Sequence, residues 1–331
     1  MTVPEFQHRG PSWRMGLVFF VATLLCVHAA AQTALGTANK QPLLTPWATL
    51  AGAWVAAPRP SPSSSLPRKP AFGAYLSWQS PTAVAARGNY VYVVDGGRRQ
   101  IFRYDLAQQT MTPFTDYAAG AVSAITVAPD LSLYVADTNA RQVLHFSFDG
   151  RLLQRFSNDM EMARPVAVLL DESSGRLWVA DSLRNQVLVF NSLGRVLSAL
   201  RSREGRSIEA MAQGPDGLYL VDRLSRQVVV IGQDGTDIAV LGKGTLKMPG
   251  VIAVDRYNRV FVSDSFDNTI KVYEQGQLVA SVGGSGAIPA SFNRITSLWM
   301  DQNMLYVADS LNARIQTFHV ASPAVKGRAH D

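Results

Sequence analysis

Six aspartates recur down the chain at near-constant intervals: Asp95, Asp137, Asp181, Asp222, Asp264 and Asp309, spaced by 42, 44, 41, 42 and 45 residues. So many carboxylates raise two chemistries, a ring of metal ligands or a set of local acceptors for backbone N–H groups. The residues around them favour the second. Each Asp ends an apolar run, as in Leu305-Tyr306-Val307-Ala308-Asp309, and a short polar turn follows before a β-branched residue opens the next run. A carboxylate there accepts the N–H groups of the residues after it, as Asx-turns do. Six equivalent positions spread round a ring do not converge on one ion. The expectation is therefore turn-locking, with no metal and no cofactor.

Arginines crowd the same turns: Arg98, Arg99, Arg141, Arg184, Arg223, Arg226 and Arg314. They are expected to pair with the neighbouring aspartates, each exposed pair contributing about 0–1 kcal/mol. One sector is less balanced. Arg201, Arg203 and Arg206 precede the fourth unit, and an antiparallel hairpin brings them to the edge that carries Arg184, Arg223 and Arg226. The local acids are Glu204, Glu209, Asp181 and Asp222. A solvated loop and a small site for an anionic ligand both fit this sector. Glu209 breaks a pattern as well, because the corresponding starts of the other inner strands are Thr82, Ala124, Val166, Val251 and Thr296. It is expected to face the axis of the fold, as a salt-bridged residue or as a lone ligand-anchoring carboxylate.

The elements that position these residues follow from the repeat. A period of 40–45 residues with four apolar runs per unit predicts propeller blades. In the fifth unit the runs are Val251–Val254, Val260–Ser263, Ile270–Tyr273 and Leu278–Val282. No helical period of similar length competes, so the fold class is all-β, a six-bladed propeller over residues 72–320. The last unit lacks a fourth run. Ala74–Trp78, at the N-terminal side, is expected to pair beside Arg314–Phe318 and close the ring.

The ends of the chain differ from its middle. Residues 1–31 read as an export signal, with Arg9 and Arg14 before the apolar run Met15–Val27 and Ala29-Ala30-Ala31 before a cleavage point at Gln32. An uncleaved anchor is the alternative, and a membrane partner is expected only in that case. Residues 32–57 have no sustained period, and 58–70 form a Pro/Ser linker, so 32–71 stand outside the repeats. Residues 321–331 are a polar tail expected to be disordered. Cys26 is the single cysteine, which excludes disulfides from the repeat region. Residues 72–320 carry 23 Lys+Arg and 23 Asp+Glu, so the repeats have no net basic excess and a nucleic-acid partner is not expected.

The repeat resembles that of NHL-repeat proteins, which pair a Tyr-Val-Ala-Asp strand end with Asn-x-Arg-Ile. Asp309, Asn312, Arg314 and Ile315 match in full, Asp137 and Asn139 match with the arginine shifted to Arg141, and the fifth unit departs with Asp267-Asn268-Thr269. The resemblance implies a six-bladed propeller that serves variously as RNA reader, sensor domain, interaction platform or, in the amidating-lyase branch, zinc enzyme. A zinc site needs convergent histidines. After the signal only His145, His319 and His330 occur, the first two in third strands away from the axis. A calcium-dependent lactonase-type site needs several inner acids or amides, and here Glu209 and Gln213 come from one unit. No Gly-x-Ser-x-Gly elbow occurs. The sequence thus reads as an exported (periplasmic, cell-surface or secreted) non-catalytic scaffold that binds a protein or an anionic glycan through its loop face. A divalent-cation-dependent hydrolase or lyase using the central channel is the alternative.

Overall fold

A computed structural model describes residues 42–55 and 74–323, all within one compact unit, Gln41–Asp331. The signal reading, the Pro/Ser linker and most of the tail lie outside the described residues. The described residues of the unit form six sheets, antiparallel within each sequence repeat, and each repeat supplies one of them. The fifth blade is representative, with strands Pro249–Val254, Val260–Asp264, Thr269–Glu274 and Gln277–Gly283 hydrogen-bonded in sequence order. The innermost strands are Pro81–Arg87, Val122–Val127, Pro165–Asp171, Ile208–Gly214, Pro249–Val254 and Ile295–Asp301. Each packs against the next, and the sixth packs against the first, so the fold is a six-bladed β-propeller.

The burial pattern explains why the repeat is so visible. A blade is covered on both faces by its neighbours, so its middle strands bury most of their residues. Leu177–Asp181, Gln186–Phe190 and Gln227–Ile231 are buried throughout. Such strands read as continuous apolar runs ending in a buried polar cap. The apolar core is correspondingly divided into six clusters, each between two adjacent blades; Trp178, Val187 and Leu200 of blade three, for example, meet Ile208, Leu220 and Ile231 of blade four. Outer strands have no such cover, and in Val196–Leu200 only Leu200 is buried.

The seam between the last and first blades differs from the sequence expectation. The strand beside Arg314–Val320 is Leu44–Leu50, with Leu44 opposite Val320 and Leu50 opposite Ile315. Tyr75–Ser77, expected there, pairs instead with Gly52–Val55, which itself lies parallel to Thr110–Pro113 at the outer edge of blade one. Blade one therefore has six strands. Part of the segment set aside as 32–71 belongs to the propeller. Residues 44–55 form a strap that leaves the edge of blade six and continues onto the edge of blade one. Its buried residues fall on both sides of the seam. Leu44 joins the cluster between blades five and six, and Ala53 joins the one between blades six and one together with Trp78. The Trp78 indole N–H donates to Leu50 O at 3.0 Å. Gly52 is required by close approach, since a Cβ there would lie 2.3 Å from Leu76 O.

Candidate functional site: the turn face and the channel

All six anchor aspartates are buried, and their carboxylates hold backbone. Asp95 accepts from the N–H groups of Gln79 and Ser80 in the loop leading into its blade, and from Gly97 and Arg98 in its own turn, at 2.9–3.3 Å. Asp181 does the same for Ala163 and Arg164 on one side and Leu183 and Arg184 on the other. Asp222 takes Arg206 and Ser225; Asp264 takes Lys247, Met248 and Phe266. Asp309 holds the Asn293 N–H and the side chains of Asn312, Arg314 and Gln316. Asp137 takes the Ala140 N–H and the Tyr117 hydroxyl. Burial, then the hydrogen bond to this carboxylate, pushes the Tyr117 hydroxyl up to about 12. Each carboxylate thus staples a lead-in loop to the turn after the second strand.

Two further regularities support these turns, and neither was read from the sequence. The fourth residue after each Asp is left-handed at φ 50–54° without being glycine: Arg99, Arg141, Asn185, Arg226, Asn268 and Ala313. The fifth is Gln in four blades. Gln186 and Gln227 are buried, and their side-chain amides donate to Glu161 O and Glu204 O of the lead-in loops at 2.9 and 3.2 Å.

The arginines behave differently from expectation. Only Arg98 and Arg314 form ion pairs with anchors among the described residues, to Asp95 at 3.5 Å and Asp309 at 2.8 Å. Backbone N–H groups already fill the remaining carboxylates, so Arg184, Arg223 and Arg226 extend to solvent. In the fifth turn Lys271 takes the missing arginine's place, reaching Asp264 at 2.8 Å and Asp267 at 3.0 Å. Burial raises the Asp264 carboxyl, but the Lys271 ammonium and the three backbone donors outweigh it and hold it below the usual carboxylate range. Burial likewise lowers Lys271, and its two carboxylates outweigh that and hold it above 10.5.

The loop Arg201–Ser207 is pinned between the turns of blades three and four, as the hairpin argument required. Asn185 Nδ2 donates to Gly205 O at 2.8 Å, and Asn185 Oδ1 accepts the Ile208 N–H at 3.2 Å. The six residues singled out do not converge, however. Arg201 is committed to Gln186 Oε1 at 2.6 Å. The backbone N–H groups of Arg203 and Glu204 donate to Asp237 on the outer strand of blade four. Arg203, Arg206, Arg223 and Arg226 are exposed along the loop face, whereas Glu209 opens on the axis.

Glu209 reaches the axis because of a bulge. In every inner strand the ladder skips the residues after the first pair: Thr82, Ser123, Val166, Glu209, Gly250 with Val251, and Thr296. A bulge re-aims side chains out of the pleat, and the blade-two counterpart of Glu209 is Ser123, one residue before the position the sequence alignment gave. The channel inside is a cavity of about 290 Å³ lined by all six blades. Glu209 sits near one end. Arg87 and Glu172, paired with each other, lie at the other, where inner strands terminate. Nearby, the Asp301 carboxylate accepts the Gly88 N–H, and burial holds its carboxyl above the usual range. His145 stacks on Tyr134 with centroids 4.0 Å apart and bonds Ser132, and His319 is exposed; neither lines the cavity.

The loop face also carries apolar side chains. The second residue after the anchor is a large apolar side chain in four consecutive blades: Leu183, Leu224, Phe266 and Leu311, exposed by 72, 71, 63 and 59 %. The lead-in loops of blades three, five and six add exposed Met160, Met248 and Ile288. In blades one and two the same turn position is Gly97 and Asn139. The apolar tips therefore form an arc over blades three to six.

No family model matches the chain, and no curated protein matches it in sequence. Solved structures match in fold. Virginiamycin B lyase from Staphylococcus aureus is 13 % identical with a TM-score of 0.58, over 73 % of this chain and 96 % of that one. A protein of unknown function from Bacteroides thetaiotaomicron is 17 % identical with a TM-score of 0.63, over 74 % of this chain and 70 % of that one. A streptogramin B lyase is 10 % identical with a TM-score of 0.54, over 73 % of this chain and 94 % of that one. At these identities the likeness is one of fold.

Proposed function

We propose that the chain is an exported NHL-type propeller that works as a non-catalytic binding scaffold, taking a protein partner on the face formed by the anchor turns and lead-in loops. The observation that carries this reading is the arc of exposed apolar tips on turns whose backbone is held by buried carboxylates. Large apolar side chains recur at one exposed turn position over four consecutive blades and so gather on a single face, where apolar surface favours a partner, and a rigid frame bearing variable loops is the usual way to present one. A glycan partner is less well served, because the tips are Leu, Met, Ile and Phe and none is Trp or Tyr.

The lyase neighbours raise the catalytic alternative, and a His-to-Ala variant of virginiamycin B lyase, solved with quinupristin, is catalytically inactive. In this chain the two histidines among the described residues serve elsewhere: His145 is stacked inside blade two and His319 lies on the outside. The channel wall instead offers Glu209, Gln213, Ser and Thr side chains. The test is site-specific photo-crosslinking in cells of the source organism. A photoreactive residue at position 224, on the loop face, is expected to capture a discrete partner. One at position 193, equally exposed on a turn between outer strands, is not. Equal yields at both positions would remove the loop face as the binding surface. N-terminal sequencing of the exported chain is expected to begin at Gln32.

A further inference from the structure

The composition of that face specifies its partner more closely. Resting on the binding reading above, we infer that the arc over blades three to six receives an acidic amphipathic protein segment. Its apolar side chains would contact the exposed tips, and its carboxylates would meet the arginines and lysines between them.

Charge carries the first part of the argument. The turns and lead-in loops of blades three to six contain ten Lys/Arg and four Asp/Glu, although residues 72–320 as a whole are balanced. Adding the four buried anchor aspartates of these blades, with Lys271 and Arg314 that pair two of them, still leaves twelve Lys/Arg against eight Asp/Glu. Arg206 and Arg226 flank the blade-four tip Leu224, and both are exposed. Lys247 lies over the Phe266 ring with its ammonium 5.3 Å from the centroid, so the blade-five tip carries its own cation. Opposite potentials of this kind steer encounter and reject basic partners.

Spacing carries the second part. The tips are single side chains, one per turn, separated by polar turn residues, and blades three, five and six add a second from the lead-in loop. A discontinuous apolar row interleaved with cations matches a helix with apolar residues at i, i+3, i+4 and i+7 and acids alongside. The row also stops at Gly97 and Asn139, so the contact is an arc along one side of the face. A bilayer would lie against all six turns, and the face shows tips on four.

The probe is a fluorescein-labelled peptide of about 18 residues built from Leu and Glu with one apolar helical face. A Leu/Lys version, a permuted Leu/Glu version without an apolar face, and phosphatidylglycerol vesicles are the comparisons. The Leu/Glu amphipathic peptide is expected to bind the full propeller. Binding should weaken about tenfold on raising salt from ~0.05 to ~0.3 M, since exposed charge contacts are screened. The quadruple variant Leu183→Ser, Leu224→Ser, Phe266→Ser, Leu311→Ser should weaken it by about tenfold or more. Because these side chains are exposed, its melting temperature should hold; Arg223→Glu with Arg226→Glu provides a second variant if it does not. Equal binding of the permuted or Leu/Lys peptide, binding unchanged in both variants, or vesicle binding with the same dependence on the tips would overturn the inference. Crosslinking from position 224 without peptide binding would overturn the acidic-helix partner and leave the scaffold reading standing.

Discussion

The turn-locking role of the anchors can be tested at Asp181, whose four backbone partners are joined by no ion pair among the described residues. In Asp181→Ala the N–H groups of Ala163, Arg164, Leu183 and Arg184 all lose their acceptor. A buried donor left unpaired costs about 1–3 kcal/mol. Two opposing effects reduce the total. Arg164, Leu183 and Arg184 are exposed residues whose N–H groups can regain water, and removing a buried carboxylate recovers part of its own desolvation. The expected net loss is about 3–5 kcal/mol by this reasoning. For a domain of this size it corresponds to a melting temperature lower by roughly 6–15 °C. Asp181→Asn keeps one acceptor oxygen and should lose about half as much. Urea and thermal denaturation followed by circular dichroism, with and without a chelator, measure both variants. A loss below about 1 kcal/mol in Asp181→Ala would refute the staple. So would a wild-type melting temperature that falls on chelation, since the carboxylate would then be holding an ion.

Two other predictions concern the seam and the fifth turn. Leu44→Ala, in the buried end of the strap, should destabilise by about 2–4 kcal/mol, whereas Trp47→Ala, on the exposed side, should change stability by less than about 0.5 kcal/mol; equal effects in chemical denaturation would mean that the strap adds no packing across the seam. The Asp264 carboxyl is held below 3.8 in the folded state, so its contribution is present above that pH and is lost as pH falls through the folded value. Lys271, held above 10.5, contributes below that pH and loses its contribution as pH rises through its folded value. Lys271→Met removes the chief partner that lowers Asp264, so its folded and unfolded carboxyls titrate closer together and the acid limb of the melting-temperature profile should be shallower than in the wild type; superimposed limbs would argue against the coupling.

The parts of this fold that could be read in the sequence are those with buried faces. Middle strands such as Val228–Ile231 are covered on both sides, so burial imposes an unbroken apolar run, and the buried Asp at the strand end punctuates it. The strap could not be read for the opposite reason. Between Leu44 and Leu50 only Leu44 is buried, and an outermost strand held by edge hydrogen bonds needs no alternation. Trp47 and Pro46 there resemble loop. Tyr75–Ser77 looked like the closing strand because nothing local distinguishes one short edge strand from another; the register with Gly52–Val55 depends on a glycine 23 residues earlier. Glu209 is legible because it is the one charged residue in a series of Thr, Ala and Val, although the bulge that turns it inward is visible only in the ladder. The Leu and Phe two residues after the anchors were present in the sequence, but in an apolar-rich repeat their type does not reveal exposure.

Under the proposed binding role, the geometry of the anchors would prepare the exposed tips for a partner. The N–H groups of Leu183 and Phe266 donate to their own anchors, at 3.0 and 3.1 Å, and the Leu311 N–H donates to Asn293 O at 3.1 Å. At Leu224 the neighbours on either side are held, the Arg223 N–H to Ser207 O and the Ser225 N–H to Asp222; the backbone at each tip is therefore fixed in advance, while its side chain packs in no core cluster. Fixing the backbone in advance removes an ordering cost that a flexible loop would meet on binding. Leaving the side chain outside the core separates affinity from stability, so a change at a tip should alter binding and leave the melting temperature unchanged, whereas a change at an anchor should alter both. That asymmetry distinguishes this arrangement from a channel enzyme. There the groups that act would lie on the inner strands, and substitutions at Glu209 rather than at Leu224 would carry the functional cost.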